Sequence, residues 1–302
     1  MKQGFTQWML GLGLVAFPIG CLVLALYLAY HLPQPLEEVT EPEEPVVPRP
    51  AELTKLPEFD KIETVPDRKQ RFFATLMPMV EWRNHQLTRL RGDIEAMITQ
   101  LDAGETLSGR QEAELERLRI HFRVTEDNYP DTREALDVLM RRSDIIPPEM
   151  VLAQAAAESG WGTSRFAQEG NNLFGQWCYR RGCGLVPNSR PEGASHEVQK
   201  FSTVNEAVAT YFRNINTNHA YREVRQIRAE QRALEEEPTG IAMVEGLHRY
   251  SSRGQAYIEE LKELIRYNEL ENVHEVWLAS NAASEEEDTE AISEVASDDQ
   301  EE

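Results

Sequence analysis

Apolar positions along the chain fall into distinct regimes. Trp8 to Tyr30 is a run of 23 residues without a charge, rich in Leu, Gly, Ala and Val. Wound as a helix at about 1.5 Å per residue, it would rise roughly 35 Å, enough to cross a bilayer core. Lys2 precedes the run, and Glu37, Glu38 and Glu41 follow it. That asymmetry predicts a cytoplasmic N-terminus, with everything after residue 32 outside. A cleaved signal peptide is the competing reading. The run is longer than a usual signal core and lacks a clear small-x-small site at its end. Cys21 offers only a faint lipoprotein-type site.

Downstream the period changes. Leu87, Leu90, Ile94, Met97/Ile98 and Leu101 recur at three- and four-residue spacing, one apolar helix face. Gly104 is a stop. Ser108 with Gln111, and Asp131 with Glu134, have capping-box spacing and predict helices over 109–123 and 132–142. Pro147 and Pro148 suit a helix's first turn. They open an alanine-rich helix from about 148 to 158, whose small apolar surface predicts deep burial. Gly160 and Gly162 break it, and Thr163 or Ser164 caps a short helix through Phe166. Helical spacing returns over 205–216, 220–234, 239–247 and 253–267. Residues 171–201, with their glycines, prolines and a β-like 196–201, predict a small β-hairpin lobe.

Charge separates the ends from the middle. The 302 residues hold 31 Lys+Arg and 52 Asp+Glu, a net charge of -21. A protein that binds nucleic acid through phosphates needs a basic face, and this balance argues against one. Residues 33–66 carry eight prolines, nine acidic and three basic residues. They predict an extended, unpacked tether with a reach on the order of 100 Å. Residues 281–302 hold ten acidic residues and no basic ones, a solvated tail by composition. The segments carry +1 (1–32), -6 (33–66) and -10 (281–302), which leaves -6 for 67–280. The expected organisation is a membrane anchor (1–32), a linker (33–66), a helical accessory region (67–142), a catalytic domain (143–278) and an acidic tail (279–302).

One carboxylate stands out. Glu158 sits at the C-terminal end of a buried apolar helix, where desolvation and the helix dipole both disfavour its charged form. Its pKa is expected above the ordinary value, as a general acid requires. A solvent-facing glutamate in a turn is the alternative. Cys178 and Cys183 lie five positions apart, within disulfide reach across a hairpin in an exported domain. A zinc site is the alternative there, but His196 alone nearby leaves too few ligands.

Met150-Val-Leu-Ala-Gln-Ala-Ala-Ala-Glu158-Ser-Gly-Trp-Gly162, with Ser164-Arg-Phe-Ala167 and Asn171-Asn-Leu-Phe-Gly175, resembles the signature of the bacterial peptidoglycan glucosaminidases. Residues 214–221 and 250–257 share the likeness, which covers about 67–270. The resemblance implies a mostly α, lysozyme-like α+β fold with a β-hairpin lobe beside a groove. It implies hydrolysis of the β-1,4 bond after N-acetylglucosamine in peptidoglycan glycan strands, with no metal or organic cofactor. Glu158 matches the family's catalytic acid, and Tyr250, or else Tyr221, a tyrosine near it. Trp161, Asn172, Phe174, Trp177 and Tyr221 are the expected substrate contacts, although Phe174 equally suits a core.

The sequence departs from the family at the second carboxylate. The hairpin is short, and Glu197 or Glu192 is the candidate, neither in clear alignment. The substrate's own acetamido group is the third possibility. Muramidase or lytic transglycosylase cleavage, and a wall-binding scaffold with little turnover, are the competing functions. The expected partners are glycan strands and, through the N-terminal helix, the inner membrane, with the catalytic domain in the periplasm.

Overall fold

A computed structural model describes residues 47–280, apart from Ser189, Pro191, Glu192 and Ala194. The expected membrane helix, the start of the linker, Glu192 and the acidic segment 281–302 lie outside the described residues. Among those residues no helix is long and apolar enough to cross a membrane.

The described chain is mainly helical with one small antiparallel sheet. Helix α1 (Val65–Asp102) is followed by α2 (Gly109–Phe122), α3 (Thr132–Arg142), α4 (Pro148–Ser159) and the short α5 (Arg165–Gly170). Three strands come next: β1 (Trp177–Cys178), β2 (Gly184–Leu185) and β3 (Glu197–Gln199). Then come α6 (Val204–Thr217), α7 (Arg222–Ala233), α8 (Gly240–Met243) and α9 (Gln255–Tyr267). Strand β3 lies between the other two and pairs antiparallel with both, Val198 facing Trp177 on one side and Leu185 on the other.

The helix starts are set by local side chains. Ser108 and Gln111 cap one another reciprocally at α2, as their spacing predicts. The Asp131 carboxylate accepts the Glu134 N–H at 2.8 Å and opens α3. Ser164, rather than Thr163, caps α5, which runs to Gly170 and so beyond the expected Phe166. The pattern expected over 239–247 divides into α8 and a 3-10 turn, Val244–Leu247.

Helix α4 is the centre of the fold. Every residue from Pro148 to Ala156 is buried, and α1, α8 and α9 pack around it. Small alanines let these neighbours approach closely, so the helix carries packing on nearly every face. Helix α1 also packs on α3 and α6, so residues 67–142 share one core with the helices after them.

Asp144 ties the connection between α3 and α4 to the second half of the chain. It is 4% exposed and pairs with Arg91 at 3.3 Å, Arg228 at 3.5 Å and Arg232 at 3.1 Å. Burial pushes its pKa up, but the three guanidiniums outweigh that, and the carboxyl sits below its ordinary value.

Part of the segment expected to be unpacked is packed. Leu56 and Phe59 are buried. The Leu53 carbonyl accepts the Val204 N–H at 2.8 Å, and the Leu53 N–H donates to Asn205 Oδ1 at 2.8 Å. Asn171 Nδ2 donates to the Thr54 carbonyl, and Gln168 Nε2 to the Pro57 carbonyl. Residues 51–62 are thus a strap held by buried apolar side chains and backbone hydrogen bonds. The proline and charge content that predicts a free tether does not oppose this, because the strap borrows its partners from α5 and α6.

Candidate active site

Helix α4 delivers Glu158 one residue before its end. Gly160 adopts φ +58° and closes the helix, its N–H returning to the Ala156 carbonyl. The Ser159 hydroxyl accepts the Gly162 N–H at 2.8 Å and fixes the turn. Gly162 has φ +76°, and a Cβ there would meet the Phe59 ring at 2.5 Å. That glycine lets the strap close over the turn.

Glu158 is half-buried. Burial raises its pKa above the ordinary carboxylate value, and a hydrogen bond from Tyr257 opposes this only in part. Glu260 raises it further and Arg253 lowers it. The protonated form therefore persists toward higher pH, as expected for this position.

Four tyrosines surround the carboxyl. Tyr250 stacks on Tyr257 with centroids 5.7 Å apart and planes within 5°. Tyr221 lies 5.6 Å from Tyr250. The fully buried Tyr211 stacks on Phe174 at 4.1 Å. Burial and nearby negative charge on Glu158 both hold these hydroxyls protonated: Tyr221 is pushed up to about 12, and Tyr211, Tyr250 and Tyr257 are raised as well.

Gln154, four residues before Glu158 on the same helix face, links two of them. Tyr211 Oη donates to Gln154 Oε1 at 2.5 Å, and Gln154 Nε2 donates to Tyr257 Oη at 3.1 Å. The fully buried Gln154 is not among the residues the sequence singles out. A signal is present all the same: it is the one polar residue in the alanine run, at i–4 from the candidate acid.

The loop 171–176 builds the opposite wall. Asn172 donates from Nδ2 to the carbonyls of Gln176 and Gln199, both at 2.8 Å, and its Oδ1 accepts the N–H groups of Phe174 and Gln176. It is 2% exposed. Its polar atoms are committed to the loop, so the expected substrate contact is corrected: Asn172 shapes the wall from behind. Gly175 adopts φ +62°, and a Cβ there would lie 3.2 Å from Glu158 Oε2. Tyr250 Oη donates to the Phe174 carbonyl at 2.7 Å, which holds this turn against the carboxyl. The ring of Phe174 is core.

Two more expectations are corrected. Trp161 packs edge-on against Phe72 and Phe73, with Lys69 Nζ 4.8 Å above its ring. Those contacts join it to α1. Glu197 is also placed elsewhere. Its two oxygens accept the N–H groups of Gly182 at 3.0 Å and Gly184 at 2.8 Å, which hold its pKa below the ordinary value. Those glycines flank Cys183, which is bonded to Cys178. Glu197 therefore braces the disulfide loop, and among the described residues no hydrogen bond links it to Glu158 or the tyrosines. Trp177, at the rim of the sheet, is 48% exposed and edge-on to His196 at 4.5 Å. The sulfurs that a metal would need are consumed by the disulfide.

A family model described as "Glucosaminidase: Mannosyl-glycoprotein endo-beta-N-acetylglucosaminidase" matches residues 133–270, which include Glu158 and all four tyrosines. Protein bax of Escherichia coli (strain K12) is 35% identical over 208 residues, covering 68% of this chain and 72% of that protein. No solved structure matches. The chain belongs to the glucosaminidase family.

Proposed function

We propose that this chain is a peptidoglycan hydrolase of lysozyme-like fold, an endo-β-N-acetylglucosaminidase that cuts the β-1,4 bond after N-acetylglucosamine. The observation that carries the reading is Glu158: a half-buried carboxyl with a raised pKa, in a tyrosine-lined site. A carboxylic acid kept protonated beside a groove can give its proton to a glycosidic oxygen as the bond to the anomeric carbon breaks.

The group opposite the acid is the substrate's own acetamido oxygen in this scheme. It bonds to the anomeric carbon as the leaving sugar takes the Glu158 proton. Water then attacks that carbon, reopens the acetamido ring and returns a proton to Glu158. The support is the commitment of both Glu197 oxygens to backbone donors. The aromatic faces of Tyr221 and Trp177 offer stacking surfaces for sugar rings. Under the same reading, residues 8–30 anchor the chain in the inner membrane and the enzyme faces the periplasm.

Digestion of purified sacculi by wild type and Glu158→Gln tests the proposal. Products with reducing-end N-acetylglucosamine, absent with Glu158→Gln, are expected. Anhydro-muramic products would instead establish a transglycosylase, and binding without clearing by wild type a scaffold.

A further inference from the structure

A second cavity, of about 510 Å³, opens between α3, the 3-10 turn His219–Tyr221 and α7. Its wall carries Arg141, Arg142, Arg222 and Arg225, with His219 beside them and Glu230 as its one acidic residue. This is a concentration of positive charge in a chain whose net charge is -21.

The guanidiniums are held in place without being neutralised. Arg142 Nη1 donates to the carbonyls of Phe122 and Arg123, at 2.9 and 2.7 Å. Arg225 Nη1 donates to those of Ile215 and Asn218, at 2.7 and 2.9 Å. Carbonyls fix their planes and leave other N–H donors and the full charges uncompensated. Of the acids near the wall, Asp144 is spent on Arg91, Arg228 and Arg232, and Glu237 on Arg232, which leaves Glu230 as the one carboxylate lining it. Among the described residues none of the four arginines is within ion-pair distance of a carboxylate. Burial first, and then the neighbouring charges of Arg142, Arg228 and Arg222, push the Arg225 pKa down to about 10. Arg141 and Arg222 are exposed at the mouth.

Like charges gathered in a concave, partly desolvated wall destabilise the fold unless an anion neutralises them. Planar guanidiniums match carboxylates in bidentate geometry. We propose that this cavity is a binding site for an acidic peptide, distinct from the Glu158 site. Two sources offer that chemistry: the chain's own residues 285–302, which hold ten carboxylates, and the peptide stems of the wall polymer. His219 lies two residues before Tyr221 and Arg222 directly after it, so an occupant would touch the chain on either side of that tyrosine.

The test is calorimetric titration of hexaglutamate into the full chain, into Arg141→Glu/Arg222→Glu, and into a full chain neutralised at Glu285, Glu286, Glu287, Asp288 and Glu290 by Gln or Asn. It needs no turnover, so it stands or falls apart from the glycosidase reading. Saturable binding that weakens at least tenfold on charge reversal, in a variant with an unchanged circular dichroism spectrum, is expected. Tighter binding in the neutralised chain by tenfold or more identifies the chain's own segment as the occupant. Equal binding in both, with competition by wall tetrapeptide, identifies the stems. No saturable binding to either chain, no loss on charge reversal, or inorganic phosphate binding as tightly as hexaglutamate would overturn the proposal.

Discussion

Tyr257 Oη accepts Nε2 of Gln154 at 3.1 Å, so its proton points away from Gln154, and Tyr257 lowers the Glu158 pKa that burial raises. Gln154 in turn must present its amide nitrogen to Tyr257, since its oxygen takes the Tyr211 proton. Each proton in this chain has one available direction. The relay stabilises the carboxylate against the desolvation that raises its pKa, and so sets where that pKa settles.

Tyr257→Phe removes the hydroxyl and leaves burial opposed only by Arg253. The Glu158 pKa is expected to rise further, moving the alkaline limb of the kcat–pH profile to higher pH. Gln154→Leu, which frees the Tyr257 hydroxyl to turn, is expected to shift the same limb. An unmoved limb in Tyr257→Phe would count against the relay.

Glu158→Gln is expected to lower turnover on sacculi by a factor on the order of 10²–10⁴, the usual worth of a general acid. It also has a stability signature. A folded pKa above the unfolded value favours the fold below the unfolded pKa, and this contribution is lost as pH rises through the folded value. At neutral pH and above, the buried charge is a cost that Gln does not carry. Thermal melts are therefore expected to show Glu158→Gln more stable than wild type at pH 8, with the gap closing at pH 4.

Gly175→Ala places a Cβ 3.2 Å from Glu158 Oε2 on a backbone with φ +62°. A destabilisation of about 1 kcal/mol or more is expected from the left-handed conformation. Displacement of the carboxyl should lower kcat beyond that. Denaturant titration and turnover, measured on the same preparation, separate the two effects.

Asp144→Asn leaves Arg91, Arg228 and Arg232 facing a neutral amide in the core. Breaking a buried network by removing one partner costs about 3–5 kcal/mol. In wild type, the depressed pKa means that the Asp144 contribution is present above the unfolded value and lost as pH falls through the folded one, below the ordinary carboxylate range. Urea unfolding at pH 7 and pH 3 is expected to show a large gap between wild type and Asp144→Asn at the higher pH and a narrower one at the lower.

Glu197→Gln is expected to retain much of the activity, because the wild-type carboxylate braces Gly182 and Gly184. The loss it does cause should resemble that of Cys178→Ala/Cys183→Ala, which loosens the same loop. Digestion rates of the two variants, set beside Glu158→Gln, check this, and equal losses from Glu197→Gln and Glu158→Gln would refute the role.

Helix positions are readable in the sequence because their signals are local. Ser108, Asp131 and Ser164 each cap a helix through a backbone N–H three residues away. The raised pKa of Glu158 is readable for the same reason, from one apolar helix and its end. Asn172 and Trp161 are misplaced by the sequence because their position in a motif does not reveal which partners use them. Asn172 spends its amide on Gln199, 27 residues on, and Trp161 packs on Phe72 and Phe73, almost 90 residues back. The strap is hidden by composition. Leu53, Leu56 and Phe59 are too sparse to show a period among prolines and acids, and the hydrogen-bond partners of Leu53 and Pro57 lie more than 100 residues away.

The strap has a mechanical consequence. Phe59 seats on Gly162, in the turn that ends the helix carrying Glu158. A pull on the chain ahead of residue 51 is borne first by the hydrogen bonds of Leu53 and Thr54 to the second half of the fold, and only then by α1. Residues 51–66 do not count toward the tether expected from the sequence, which removes about 50 Å from the reach their extended length would supply. The mooring point thus lies beside the turn that follows Glu158, so tension along the chain would meet the candidate site's own foundations before it met the rest of the domain.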